Sequence, residues 1–255
     1  MKIALLHLDL SGGPEKQNIT VLSHAINLAA EQGANWIITP EMALQGYFFS
    51  NMDKSAEPPV QPSESMQVLC QLAARHKITI FLGCAEKDAV TGKCYNSCLV
   101  LGPTGEVLGR HRKMHTHGVG AEAWVTTGNQ LEPVNCQDIK AGILVCADSW
   151  FMENSQCLKE KGAEAIIILA AWPPTEEHGP GDCWERCSQT AGLPVWVCNQ
   201  TGSHENLDLS EAESAVVVGG KTLFTYCSRE PAILLFEWDL SKQCTLSRQF
   251  SVIAV

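Results

Sequence analysis

Short apolar runs alternate with amphipathic stretches along most of the chain. Ile3 to Leu8 is an apolar run of strand length. Gly13-Pro14 then suits a helix start, with Pro14 at the first helical position, where its fixed φ and missing N–H are tolerated. Ile19, Leu22, Ile26 and Ala29 follow at helical spacing, and Gly33 is a stop signal. Trp36-Ile37-Ile38-Thr39 predicts a second strand that runs directly into Pro40-Glu41, so Glu41 falls just beyond a strand's carboxyl end. A second helix is predicted from an N-cap at Ser63 to about His76, followed by a strand over Ile78 to Leu82. From Gly83 to Met114 the runs shorten and are separated by Thr91-Gly92 and Gly102-Pro103-Thr104-Gly105. That spacing predicts an antiparallel meander, with Lys113 near the end of its last run.

Ala141-Gly142-Ile143-Leu144-Val145 reads as a buried strand that delivers Cys146 at its carboxyl end. Asp148 or Ser149 is placed to cap a helix reaching Lys161, with Gly162 as its stop. Further strands are expected at Ala165–Ala170, Val195–Cys198, Ser214–Val218, Thr222–Tyr226 and Ala232–Trp238, with a helix from about Asp182 to Ala191. Repeats, low-complexity segments and long linkers are missing from this pattern, so one domain over residues 1–255 is expected. Strands alternating with helices and joined to a meander indicate an α/β layered fold, in which groups at strand carboxyl ends line the ligand crevice.

Charge narrows the partners. Eighteen basic residues stand against 28 acidic ones, a formal net charge of −10. That balance opposes binding to nucleic acid or to anionic membranes. The dense basic cluster Arg110-His111-Arg112-Lys113 is short. The apolar start at Met1 is interrupted by Asp9 without a small-residue cleavage site, and no apolar run reaches the roughly 18 residues of a membrane span. A soluble, unexported, cytoplasmic protein is therefore expected. Twelve cysteines are many, but in a long chain with 45% hydrophobic residues they read as small packing groups, as in Val195-Trp196-Val197-Cys198, rather than as a disulfide framework.

Glu41, Lys113 and Cys146 fall at strand or loop ends. A carboxylate can take a thiol's proton and return it to a leaving amine. A lysine ammonium, or a backbone N–H beside the nucleophile, can stabilise the oxyanion of a tetrahedral intermediate. Together the three suffice for acyl transfer from an amide to water without a metal or organic cofactor. Singly, each has a plainer reading: a cysteine closing a strand usually packs, Glu41 is a loop charge, and Lys113 belongs to a solvated basic cluster. Metal binding is a further reading, through His111, His115 and His117 or the pairs Cys94/Cys98 and Cys183/Cys187, although zinc sites use tighter pairs such as C-x2-C. Spacing alone does not choose among these.

Fragments in order do. Asn18 through Gly33-Ala34-Asn35-Trp36-Ile37-Ile38-Thr39-Pro40-Glu41, then Gly46-Tyr47, Tyr95-Asn96-Ser97, Gly102-Pro103-Thr104-Gly105 and Arg112-Lys113-Met114-His115 lead to Gly142-Ile143-Leu144-Val145-Cys146-Ala147-Asp148. Gly162-Ala163, Ala170-Ala171-Trp172-Pro173 and Asn199-Gln200-Thr201-Gly202 follow. Over about four-fifths of its length the chain thereby resembles the nitrilase superfamily of carbon–nitrogen hydrolases. The resemblance implies a four-layer αββα sandwich with mixed sheets and a homodimer or larger assembly built through helical faces. It implies Glu41 as general base, Lys113 as oxyanion stabiliser, Cys146 as nucleophile and the Ala147 N–H as second oxyanion donor. Glu122, in Gly120-Ala121-Glu122-Ala123-Trp124, matches an assisting glutamate, a solvent-exposed loop charge being the alternative. Tyr47 and Trp172 are candidate pocket walls by position, or else core aromatics.

The implied reaction converts a small amide to a carboxylic acid and ammonia through a cysteine acyl-enzyme, with no cofactor. Nitrile and N-carbamoyl hydrolysis by the same triad are the alternatives, and the short C-terminal part favours the amidase. A non-catalytic binding or scaffold role on the same fold is the other class. Two departures bear on the pocket: Ala147 stands where members often have an aromatic residue, and Trp150 where they often have an arginine. The loops at 118–127 and 173–181 are expected to shape that pocket.

Overall fold

The computed structural model describes residues 1–52, 56–175, 179–205 and 207–255, so part of the second pocket loop, residues 176–178, lies outside the described residues. Strand β1 (Lys2–His7) leads into helix α1 (Glu15–Glu31), with Pro14 as the N-cap residue, one position earlier than expected. β2 (Trp36–Ile38) is followed by the single turn α2 (Phe49–Met52) and by α3 (Glu64–His76), where Ser63 Oγ accepts the Met66 N–H as a cap. Then come β3 (Thr79–Lys87), β4 (Cys94–Leu101), β5 (Val107–Arg112), β6 (Val134–Cys136) and β7 (Ile139–Val145). A 3₁₀ turn over Cys146–Trp150 separates β7 from α4 (Met152–Glu160), and β8 (Ala165–Ala170), α5 (Cys183–Ala191) and β9 (Val195–Asn199) follow. A short ribbon of β10 (Ser203–His204) and β11 (Leu207–Asp208) precedes β12 (Glu213–Val218), β13 (Lys221–Cys227) and β14 (Ala232–Asp239). The chain closes with β15 (Cys244–Thr245) and β16 (Ser251–Ala254).

These strands form two large mixed sheets. The first runs β15-β14-β1-β2-β3-β4-β5, with β16 also on β14, and the second runs β13-β12-β9-β8-β7-β6. Each has a parallel centre, β1-β2-β3 in one and β7-β8-β9 in the other, because helices cross back between those strands. The flanks are antiparallel hairpins, including the β3-β4-β5 meander anticipated between Gly83 and Met114, although β3 itself extends to Lys87.

Period-two alternation sorts the first sheet's side chains between two cores. Ala4 and Leu6 join Leu22, Ile26, Leu69 and Ala73 of α1 and α3, whereas Ile3 and Leu5 face the second sheet. Trp196 of β9 joins the sheets, its ring centroid 6.1 Å from Trp36, 5.6 Å from Phe236 and 5.4 Å from Trp238. On the outer side of the second sheet, a Cβ on Gly142 would meet Leu158 of α4 at 3.0 Å. The order is therefore helices, sheet, sheet, helices, the αββα arrangement expected from the motifs. Neither Asp148 nor Ser149 caps α4: Phe151 occupies the N-cap, because the 3₁₀ turn intervenes, His111 holds the Asp148 carboxylate and Ser149 Oγ turns back to the Cys146 carbonyl.

Candidate active site

Glu41 follows β2 through Thr39-Pro40, and the strand beneath leaves room for it only because residue 83 has no side chain. A Cβ on Gly83 would lie 2.2 Å from the Pro40 carbonyl oxygen. Gly83 N–H instead donates to Thr39 Oγ1 at 2.9 Å, and its carbonyl accepts Leu44 N–H at 3.1 Å, so β3 is sewn to the Glu41 turn. Glu41 N–H donates to Ala170 O at 3.3 Å, and the Glu41 carbonyl accepts Gln200 Nε2 at 2.7 Å. Both ties reach the second sheet, so the carboxylate sits where the sheets' carboxyl ends meet.

Lys113 comes just after β5. Along this strand the side chains alternate: Arg110 and Arg112 turn to Glu86, while His111 and Lys113 point inward and are buried. The solvated reading of Lys113 thus fails, since period two puts half of the basic cluster in the interior. Lys113 Nζ lies 2.8 Å from Glu41 Oε1 and 2.6 Å from Glu122 Oε1, with lysine and Glu41 fully buried. Asn96 of β4 completes the cluster, its Nδ2 donating to Glu41 Oε1 at 2.8 Å and to Glu122 Oε1 at 3.1 Å. Ala171 N–H reaches Glu41 Oε2 at 3.0 Å, and His117 N–H reaches Glu122 Oε2 at 3.0 Å. Glu122 is 3% exposed, which removes the alternative of a solvated loop charge.

Cys146 follows β7 with φ +49°, a left-handed conformation that costs a non-glycine residue about 1–3 kcal/mol and is held by its surroundings. Ser149 Oγ donates to the Cys146 carbonyl at 2.8 Å, and Cys187 Sγ of α5 donates to Ser149 O at 3.0 Å. Asp148 clamps the same turn: Oδ2 accepts His111 Nε2 at 2.7 Å and Val145 N–H at 3.2 Å, while Oδ1 accepts the Met114 and His115 N–H groups at 2.9 and 2.8 Å.

The electrostatics follow from dryness. Burial disfavours a charged Lys113, but the Glu41 and Glu122 carboxylates outweigh it and hold its pKa well above the usual lysine value. Burial, reinforced by the Glu41 carboxylate, pushes the Cys146 thiol well up, against the pull of Lys113. Burial would raise Glu122 too, but Lys113 and the donors from His117 and Asn96 bring it below the ordinary carboxylate value. Burial and then Glu41 push the Tyr47 phenol well up. The set is an ammonium between two carboxylates beside an un-ionised thiol, groups that can exchange a proton and support a developing oxyanion.

Two cavities flank the cluster. One of about 290 Å³ is lined by His115, Thr116, His117, Ala147, Trp150, Phe151, Trp172 and Gly179. The other, about 400 Å³, is lined by residues that include Tyr47, His117, Glu122 and Leu207. Trp172 and Tyr47, both candidate walls, therefore stand on different cavities, with His117 shared. Among the described residues, no group of three or more His, Cys, Asp or Glu is arranged to hold a metal; His111 is occupied by Asp148. Reading the sequence alone gives Asn96 no role in the site, and assigns Asp148 or Ser149 to a helix cap. The available signal was three polar residues in otherwise buried stretches.

Residues 2–223 match the carbon–nitrogen hydrolase family. The chain is 28% identical over 265 aligned positions to the ω-amidase NIT2 of Mus musculus, covering 99% of this chain and 93% of that protein. It is 26% identical to a citrullinase of Francisella tularensis, covering 82% and 77%. In fold it is similar to the NitN amidase from Neterenkonia sp. AN1, with a TM-score of 0.83 at 23% identity over 94% of this chain and 93% of that one. Nit3 of Saccharomyces cerevisiae, a nitrilase-superfamily member, gives a TM-score of 0.80 at 23% identity, covering 92% and 88%. The chain belongs to the carbon–nitrogen hydrolase family, the nitrilase superfamily that its motifs resemble.

Proposed function

We propose that the chain, as one catalytic domain over residues 1–255, hydrolyses a small carboxamide to the carboxylic acid and ammonia through a thioester on Cys146. The observation that carries this reading is the buried Lys113 ammonium held between Glu41 and Glu122 beside a strained Cys146. Glu41 takes the Sγ proton as sulfur attacks the amide carbonyl carbon. The oxyanion is met by Lys113 and the Ala147 N–H. Glu41 then returns the proton to the departing nitrogen, ammonia leaves, and the thioester remains. Water, deprotonated by Glu41, attacks that thioester, and as the C–S bond breaks Glu41 returns the proton to Sγ, releasing the acid and restoring the thiol. Glu122 and Asn96 hold the lysine and the base in register. The ω-amidase name of the relative at 28% identity supports the amide as substrate. We further expect a homodimer or larger assembly in the cytoplasm.

A second reading, cleavage of a carbamoyl or ureido group by the same residues, is favoured by the similarity to a citrullinase. Ammonia release from a panel of small amides, nitriles and carbamoyl compounds, run beside Cys146→Ala, separates the two. Release from amides by the parent alone supports the amidase. Silence from well-folded protein across the panel would sink it.

A further inference from the structure

The cavity that starts at Ala147, the neighbour of Cys146 in the chain, has walls of a particular chemistry. Trp150 and Trp172 stand with ring centroids 6.1 Å apart at 50°, and Phe151 stacks on His115 at 3.6 Å and 16°. These rings and Ala147 surround about 290 Å³. A dry cavity of roughly 150 Å³ already holds a benzene ring, so this one has space for a ring and its linking atoms.

Most of its neighbouring cations face protein carboxylates. Among the described lining residues, His115 and His117 are the only ones able to carry positive charge. His115 Nδ1 lies 3.2 Å from Asp148 Oδ1, so a proton gained there faces a protein carboxylate. Lys113 is bonded to Glu41 and Glu122, and Arg186, whose guanidinium lies 5.4 Å over the Trp150 ring, pairs with Asp182 at 2.9 Å. A carboxylate entering the cavity would shed its water without gaining an uncommitted lysine or arginine. A flat apolar group would instead bury its surface against three aromatic rings.

We propose that this cavity is the acyl-group subsite and that it selects uncharged amides with an aromatic or similarly flat apolar acyl chain over amides bearing a second carboxylate. The inference rests on the amidase reading for its turnover test, and a binding test separates the two. With the full-length protein, kcat/KM for ammonia release from 3-phenylpropanamide should exceed that from glutaramate about tenfold or more. Trp150→Arg, at a half-exposed position that tolerates charge, should shrink that ratio at least several-fold by raising glutaramate turnover and lowering that of the aromatic amide. Calorimetry on Cys146→Ala should show tighter binding of 3-phenylpropanamide than of glutaramate. Equal or better use of glutaramate by the parent, a ratio unmoved by Trp150→Arg, or failure of Cys146→Ala to bind the aromatic amide would each overturn the subsite. Selective binding without turnover of any amide would leave the subsite standing and overturn the amidase.

Discussion

Asp148 Oδ2 lies 2.7 Å from His111 Nε2, both side chains sealed from solvent beneath the turn that presents Cys146. The carboxylate's other oxygen receives the backbone of Met114 and His115, the two residues after Lys113. One side chain thereby fixes the nucleophile's turn against the lysine's segment, a task that neither β5 nor β7 performs by its own ladder.

Breaking that link should cost both stability and rate. Asp148→Asn keeps the shape but sets an amide donor against His111 or the backbone N–H groups. We expect a loss of about 3 kcal/mol in denaturant unfolding, as for other broken buried pairs, with a fall in kcat larger than any rise in KM. An unchanged unfolding midpoint would refute the clamp.

The same carboxylate gives stability a pH dependence. Burial would raise its pKa, but hydrogen bonds from His111 and His115 outweigh that and hold it well below the usual carboxylate range. A depressed folded pKa means stability that is present above the unfolded value near 4 and lost as pH falls through the folded one. Melting temperature should therefore drop steeply below about pH 4, and Asp148→Asn should drop less over the same interval.

Cys146→Ala should abolish ammonia release while unfolding within about 1 kcal/mol of the parent, because alanine keeps a Cβ at the same positive φ and removes one sulfur. Turnover surviving in this variant excludes the nucleophile role.

Lys113→Met tests the cation at nearly constant volume. Glu41 and Glu122 would then face each other across Asn96 with no ammonium between them. We expect kcat to fall about 10²–10³-fold and stability to fall by about 3 kcal/mol. A change confined to KM would make Lys113 a binding group only.

Labelling kinetics report the resting thiol. Burial and Glu41 raise its pKa, so the rate of Cys146 alkylation by a neutral reagent, followed by peptide mass spectrometry, should keep climbing from about pH 6 to 9. A plateau below pH 7 would mean a preformed thiolate.

Local pattern carried much of this architecture. Glu41 and Cys146 stand beyond strand ends because each closes a short apolar run, and Ser63 caps α3 as its position suggests. Lys113 was harder: a four-residue basic cluster looks solvated until strand alternation turns every second member inward. Asp148 satisfies a cap pattern, yet its partners His111 and Met114 arrive from a different sheet, a meeting that periodicity does not encode. Asn96 sits inside a buried strand, and its amide has meaning only once Glu41 and Glu122 are beside it. The split of Tyr47 and Trp172 between two cavities likewise depends on how the chain folds around His117.

Gly83 contributes no atom to any reaction, yet the Pro40 carbonyl rests where its first side-chain carbon would be. A single methyl at this strand position would lift the Glu41 turn off β3 and draw the carboxylate out of line with Lys113. The distance between base and ammonium is thus governed by an absence of bulk on β3, in the sheet opposite the one that presents the thiol. During sequence drift, a variant could keep all its reactive residues and still fall silent through this one position.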